Sequence, residues 1–146
     1  MMLVKLCRNY HNISMTQRDF IEMLGLFDDW NEIFTNFIQL GDQLPVTCPD
    51  ALRPHKINNC QSMTHFRTYK EGILLRVEGW SNAPVMRGII VCMISIFDMT
   101  LLSDWKDETG IYFHIESGLI NNLTPLRREG LTEMIRRILV LSNTVC

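Results

Sequence analysis

The chain has 146 residues, with 14 basic against 16 acidic side chains and 47% hydrophobic residues. That length suits one domain around a single core. A net charge of −2 argues against a nucleic-acid binder, which usually shows a basic excess on one face.

Met1 to Arg8 is too short an apolar run for a signal peptide and lacks its cleavage pattern. The longest uncharged apolar stretch, Gly88 to Phe97, is about half of the ~20 residues that span a bilayer. The expectation is a cytoplasmic protein with no membrane partner. Residues 1–13 carry no clear pattern and read as a loose extension, with a single domain over residues 14–146.

The first helix is expected over about Thr16 to Phe27, where Phe20, Met23, Leu24 and Phe27 share one face. Ser14 with Gln17 offers its capping box. A second helix carries the stripe Trp30, Ile33, Phe34, Phe37 and Ile38. Asp29 with Glu32 forms an acidic variant of the box there, and Gly41 a C′ stop. Pro45, Pro49 and Pro54 mark a loop. Strands are expected near His55 to Asn58, over Met63 to Tyr69 and over Ile73 to Gly79. The connection Lys70-Glu71-Gly72 suits a hairpin with a bulge, because glycine accepts positive φ.

Asn82 then reads as an N-cap with Pro84 in the first turn. From Val85 to Phe97 nearly every residue is apolar, which predicts a helix buried on all sides. Ser103 to Gly118 predicts one or two short helices. Thr124-Pro125 starts a last helix with Leu131, Met134, Ile135, Ile138 and Leu139 inward. Strands segregated from helices predict an α+β fold: a small antiparallel sheet of about three strands with helices packed on one face.

The five cysteines are Cys7, Cys48, Cys60, Cys92 and Cys146. With no C-x-x-C pair, a zinc or iron–sulfur site built on paired ligands is not expected, and no metal site is assigned. Cys92 reads as core filler, Cys48 lies in the proline-rich loop, and Cys7 and Cys146 lie near the ends. Cys60 has the most distinctive setting, in a connection between two predicted strands, after Asn59, a residue at ease in the left-handed conformation. Local sequence alone leaves two readings open, a half-buried filler or a reactive thiol.

Three phrases then stand in order: Asn59-Cys60-Gln61-Ser62, Ser81-Asn82-Ala83-Pro84-Val85-Met86-Arg87-Gly88, and Leu123-Thr124-Pro125-Leu126-Arg127-Arg128-Glu129-Gly130-Leu131. With Phe27-Asp28-Asp29-Trp30 and Leu40-Gly41-Asp42-Gln43-Leu44-Pro45 upstream, the chain resembles the SufE family of sulfur acceptor proteins, which includes CsdE, over about residues 16–140. The family pattern reads Gly-Cys-Gln-Ser, then Ser-Asp-Ala with a Lys-Gly pair, then Leu-Thr-Pro-Ser-Arg ending in Gly-Leu.

The resemblance implies a sulfur carrier with no cofactor of its own. Its partner would be a pyridoxal-phosphate cysteine desulfurase of the SufS/CsdA kind, and it would pass persulfide sulfur to iron–sulfur cluster assembly as a monomer or dimer. Cys60 matches the acceptor cysteine, with Asn59, Gln61 and Ser62 shaping its loop. Arg127, Asn82 and Arg87 match positions associated with partner docking. Asn59 replaces a family glycine, Asn82 an aspartate, Arg87 a lysine and Leu126 a serine. His65 stands where the family has an aromatic pattern, and strand alternation sends it away from the side shared by Ser62 and Thr64. Two other classes compete: a non-catalytic interaction module that keeps the fold, and a metal or cluster scaffold.

Overall fold

The structure, a computed structural model, describes residues 16–58, 63–104 and 118–143. Helix α1 (Gln17–Leu24) buries Phe20, Met23 and Leu24. Its capping box lies two residues beyond the expected one. Thr16 Oγ1 accepts from the Asp19 amide (3.0 Å) and Asp19 Oδ2 accepts from the Thr16 amide (3.1 Å). Asp19 satisfies the exposed amide end and sets a negative charge in the first turn. The helix stops at Leu24 rather than Phe27.

Helix α2 (Trp30–Gly41) starts as the Asp29/Glu32 spacing predicts: Asp29 Oδ1 accepts from the Glu32 amide at 2.9 Å. Glu32 reaches one residue further back, to the Asp28 amide (3.2 Å). Gly41 is not a left-handed stop. It is the last helical residue, followed by Asp42 at φ −64°. Its role is close approach to the next helix, since a Cβ on Gly41 would lie 2.7 Å from that of Arg87.

The sheet order is β1-β2-β3 and all pairs are antiparallel. Strands β1 (Thr64–Glu71) and β2 (Leu74–Ser81) pair from Thr64↔Ser81 to Glu71↔Leu74. The expected three-residue bulged connection is instead a tight two-residue turn, Gly72-Ile73. Gly72 takes φ +63°, as the first position of a type II′ turn requires. The expected strand at 55–58 is reduced to one bridge, Lys56↔His65, flanked by Phe66 N–His55 O (2.9 Å) and Ile57 N–Thr64 O (2.8 Å). Strand β3 (Thr100–Leu101) lies on the far side of β2.

Helix α3 (Pro84–Phe97) runs across the sheet. Eleven of its residues are buried, Cys92 among them, as an all-round apolar helix must be. Its N-cap is Ala83, not Asn82, and no side chain caps it directly. Ser81 Oγ accepts from the Ala83 amide (3.1 Å), while the Asn82 side chain is drawn elsewhere. After a short α4 (Leu119–Asn122), the last helix α5 (Pro125–Asn143) packs on β1. There Thr68 Oγ1 donates to Arg137 O at 3.4 Å, and Arg137 donates to Phe66 O at 2.7 Å.

The helices share one sheet face. A Cβ on Gly79 would meet Ile90 of α3 and Phe66, and Thr68, two residues along from Phe66, meets α5. The alternate residues of the other face form ion pairs, Arg67 with Glu78 and Arg76 with Glu71. That is the α+β arrangement expected. Of the short helices expected within Ser103 to Gly118, a 3-10 turn at Leu102–Asp104 is described, and residues 105–117 lie outside the described residues. So do residues 1–13.

Candidate functional site

The site is built where β1 begins and β2 ends. Thr64 and Ser81 face each other as the first residue pair, both fully buried, with their hydroxyls 2.9 Å apart. Two buried hydroxyls in contact satisfy each other where water does not reach. Next to this pair the Cys60 phrase leaves and re-enters the described chain. Asn59, Cys60, Gln61 and Ser62 themselves lie outside the described residues.

Both flanks of the phrase are pinned. Upstream, Ile57 is fully buried and its amide donates to Thr64 O. Downstream, Met63 is held twice by one residue. Asn82 Oδ1 accepts from the Met63 amide (3.1 Å), and the Asn82 amide donates to Met63 O (3.0 Å). This closed pair ties β1's entry to the segment between β2 and α3.

Arg87 supports that segment from below. Its guanidinium donates to Gly41 O (3.1 Å), Leu44 O (2.7 Å), Pro45 O (3.0 Å) and Ser81 O (3.0 Å). These carbonyls belong to the exit of α2 and the exit of β2. Several carbonyls meeting one planar donor fork make a site specific to arginine. Trp80 adds a fifth tie, donating from Nε1 to Pro45 O at 2.8 Å, with the Arg87 guanidinium 6.0 Å from its ring.

Of the predicted site residues, Asn82 and Arg87 are thus brought together around Ser81 and Met63. Arg127 stands on another element, half-buried in the first turn of α5. His65 is buried in the sheet, its Nδ1 2.9 Å from Leu52 O and its ring tilted against Trp80. It is the structural sheet residue that alternation predicts. Among the other thiols, Cys92 is fully buried in α3, and burial pushes the half-buried Cys48 thiol up, offset in part by Arg53. No cluster of three or more metal-ligating side chains occurs among the described residues.

Sequence reasoning missed Met63, Thr64 and Ser81 as parts of the site. Their roles depend on strand register, and the register depended on a turn read one residue too long. Ser81 carried a usable signal, a small hydroxyl residue at a strand's end just before a proline-initiated helix.

The model of the family described as "SufE: Fe-S metabolism associated domain" matches residues 18–141 of the chain. The chain belongs to the SufE family. An uncharacterized SufE-like protein of Rhizobium meliloti is 32% identical over 131 residues, covering 85% of this chain and 93% of the relative. A second uncharacterized SufE-like protein, from Rhizobium etli, is 28% identical over 123 residues, 81% of this chain and 83% of that one. SufE membership places the chain in iron–sulfur metabolism. No helix among the described residues is long and apolar enough to cross a membrane.

Proposed function

We propose that the chain is a sulfur acceptor whose Cys60 takes persulfide sulfur from a pyridoxal-phosphate cysteine desulfurase and passes it to iron–sulfur cluster assembly. The observation that carries this reading is the anchoring of the Cys60 phrase. In a SufE-family chain, the residues flanking that phrase are both bonded at the margin of the sheet, Ile57 to Thr64 of the first residue pair and Met63 to Asn82, which follows Ser81. A loop held by a rigid scaffold is where a reactive group is commonly presented.

The transfer is an exchange at sulfur. The Cys60 thiolate attacks the outer sulfur of the partner's persulfide. A new S–S bond forms to Cys60, the partner's S–S bond breaks, and the partner's cysteine leaves as thiolate. Sulfur is moved with no net oxidation, so no external oxidant is needed. The reverse exchange with a downstream thiol discharges the carrier. The chemistry requires reduced thiols, which fits a cytoplasmic location. In this reading Arg127 contacts the desulfurase, and Asn59, Gln61 and Ser62 shape the acceptor loop.

The test is mass spectrometry of the chain incubated with a cysteine desulfurase and cysteine. A mass increase of about 32 Da on the Cys60 peptide, one sulfur atom, is expected, and a Cys60→Ser variant is expected neither to gain it nor to stimulate sulfide release. A Cys60→Ser variant that still stimulates the desulfurase would overturn the reading in favour of a non-catalytic interaction module.

A further inference from the structure

One peptide group lies between Arg87 and Met63, the first described residue after the Cys60 phrase. The carbonyl of the Ser81–Asn82 peptide accepts from Arg87 Nη1 at 3.0 Å. The amide of the same peptide donates to Met63 O at 3.0 Å. The Asn82 side chain then closes a second bond, from the Met63 amide to Oδ1 at 3.1 Å. A charged donor on a peptide carbonyl polarises that peptide and strengthens the bond made by its N–H. The remaining Arg87 donors hold Gly41, Leu44 and Pro45 carbonyls, so the guanidinium has a fixed place from which to act.

We propose that Arg87 is a positioning residue for the acceptor: through the Ser81–Asn82 peptide it fixes the Asn82–Met63 pair, and so fixes where the chain enters β1 after Cys60. The proposal rests on the acceptor reading for its functional consequence, but not for its structural one. Arg87 touches neither Met63 nor any reacting atom. A lysine in its place keeps the charge, but its three donors sit on one nitrogen and cannot serve four carbonyls at once. With the pair loosened, the anchored position of Met63 becomes only one of several that the entry of β1 samples. Apparent affinity for the desulfurase then falls by the populated fraction, while the chemical step of docked molecules is unchanged.

The experiment is residue-resolved amide hydrogen exchange on the full chain and on Arg87→Lys and Asn82→Ala, with desulfurase stimulation measured in parallel. In both variants the Asn82 and Met63 amides are expected to exchange about fivefold faster or more. The Phe66 amide, bonded to His55 O further into β1, is expected to keep its wild-type rate. KM for the chain as desulfurase substrate is expected to rise at unchanged kcat. Should Arg87→Lys fail to fold, Arg87→Gln, which keeps a shorter donor, replaces it. Wild-type exchange at Asn82 and Met63 in the folded Arg87 variant would overturn the proposal. Faster exchange that includes Phe66 would overturn it as well, because that is general loosening of the sheet. If the wild-type chain takes up no sulfur at all, the acceptor reading fails while the exchange data still decide the role of Arg87.

Discussion

Gly88 of α3 lies directly against the carbonyl of Phe37 in α2: a Cβ added to Gly88 would fall 2.0 Å from Phe37 O. The two helices cross backbone to backbone, with Gly41 forming the second close point, against Arg87 and Gly88. Gly88→Ala cannot be absorbed by a rotamer change, because the obstacle is main chain. The helices must separate, and the cost is expected at about 3 kcal/mol or more. Urea denaturation measures it. A loss below about 1 kcal/mol would mean that the crossing is looser than described.

Asp98 ends α3 and faces inward on β2. Its Oδ1 accepts from the Val77 amide (2.8 Å) and from Arg76 Nε (3.0 Å), with the carboxylate side chain 6% exposed. Asp98→Ala leaves the Val77 amide without its acceptor and the half-buried Arg76 guanidinium with Glu71 alone, at an expected cost of about 3 kcal/mol. Asp98→Asn retains an acceptor and is expected to lose about 1 kcal/mol. Equal losses for the two substitutions, read from paired urea titrations, would show that the acceptor geometry contributes little.

Glu133 on α5 is hydrogen-bonded to Arg136, and this, more than the neighbouring Arg137 charge, holds its carboxyl below the usual carboxylate range. A carboxyl lowered in the folded state stabilises the protein above its unfolded pKa, and loses that contribution as pH falls through the folded value. Glu133→Gln is therefore expected to be less stable than wild type at neutral pH, by less than about 1 kcal/mol for a pair this near the surface. The difference is expected to vanish in acid, below the carboxylate range. Thermal melts of both proteins across pH measure this, and a gap that widens on acidification would contradict it.

The thiols are expected to separate by reactivity. Cys92 is fully buried and out of reach of reagents in solution, and Cys48 has its thiol pushed up by burial, so Cys48 presents little thiolate at neutral pH. Brief iodoacetamide treatment of the native chain, followed by peptide mapping, is expected to leave Cys92 unmodified and Cys48 modified only slowly. Rapid Cys92 labelling would mean that α3 opens.

Helix positions were readable because their apolar stripes are long and regular: Ile33 and Phe37 in α2, and the unbroken run of α3, are buried as their spacing predicts, although Ile38 of the expected α2 stripe is exposed and Leu40 is buried instead. The ends were less readable, because caps are settled by contacts outside the helix. Asn82 looks like an N-cap in sequence, yet its side chain serves Met63 nineteen residues away. Gly41 looks like a stop, yet it serves a helix crossing. Arg87 reads as a surface charge for a partner, and its carbonyl partners come from segments joined only by folding. The Cys60 phrase carries the resemblance to the family, whereas the hydroxyl pair Thr64–Ser81 needed the strand register.

The Ile57–Thr64 and Met63–Asn82 bonds have a consequence for how the chain can vary. Both attachments are made by residues outside the phrase 59–62, and both end on the sheet or its margin. A residue inserted or deleted between Asn58 and Met63 would therefore change the span of that bridge without sliding β1 along β2. The mount keeps its own alignment independently of the four residues it brackets, so substitutions there are expected to act on function without a cost in sheet register.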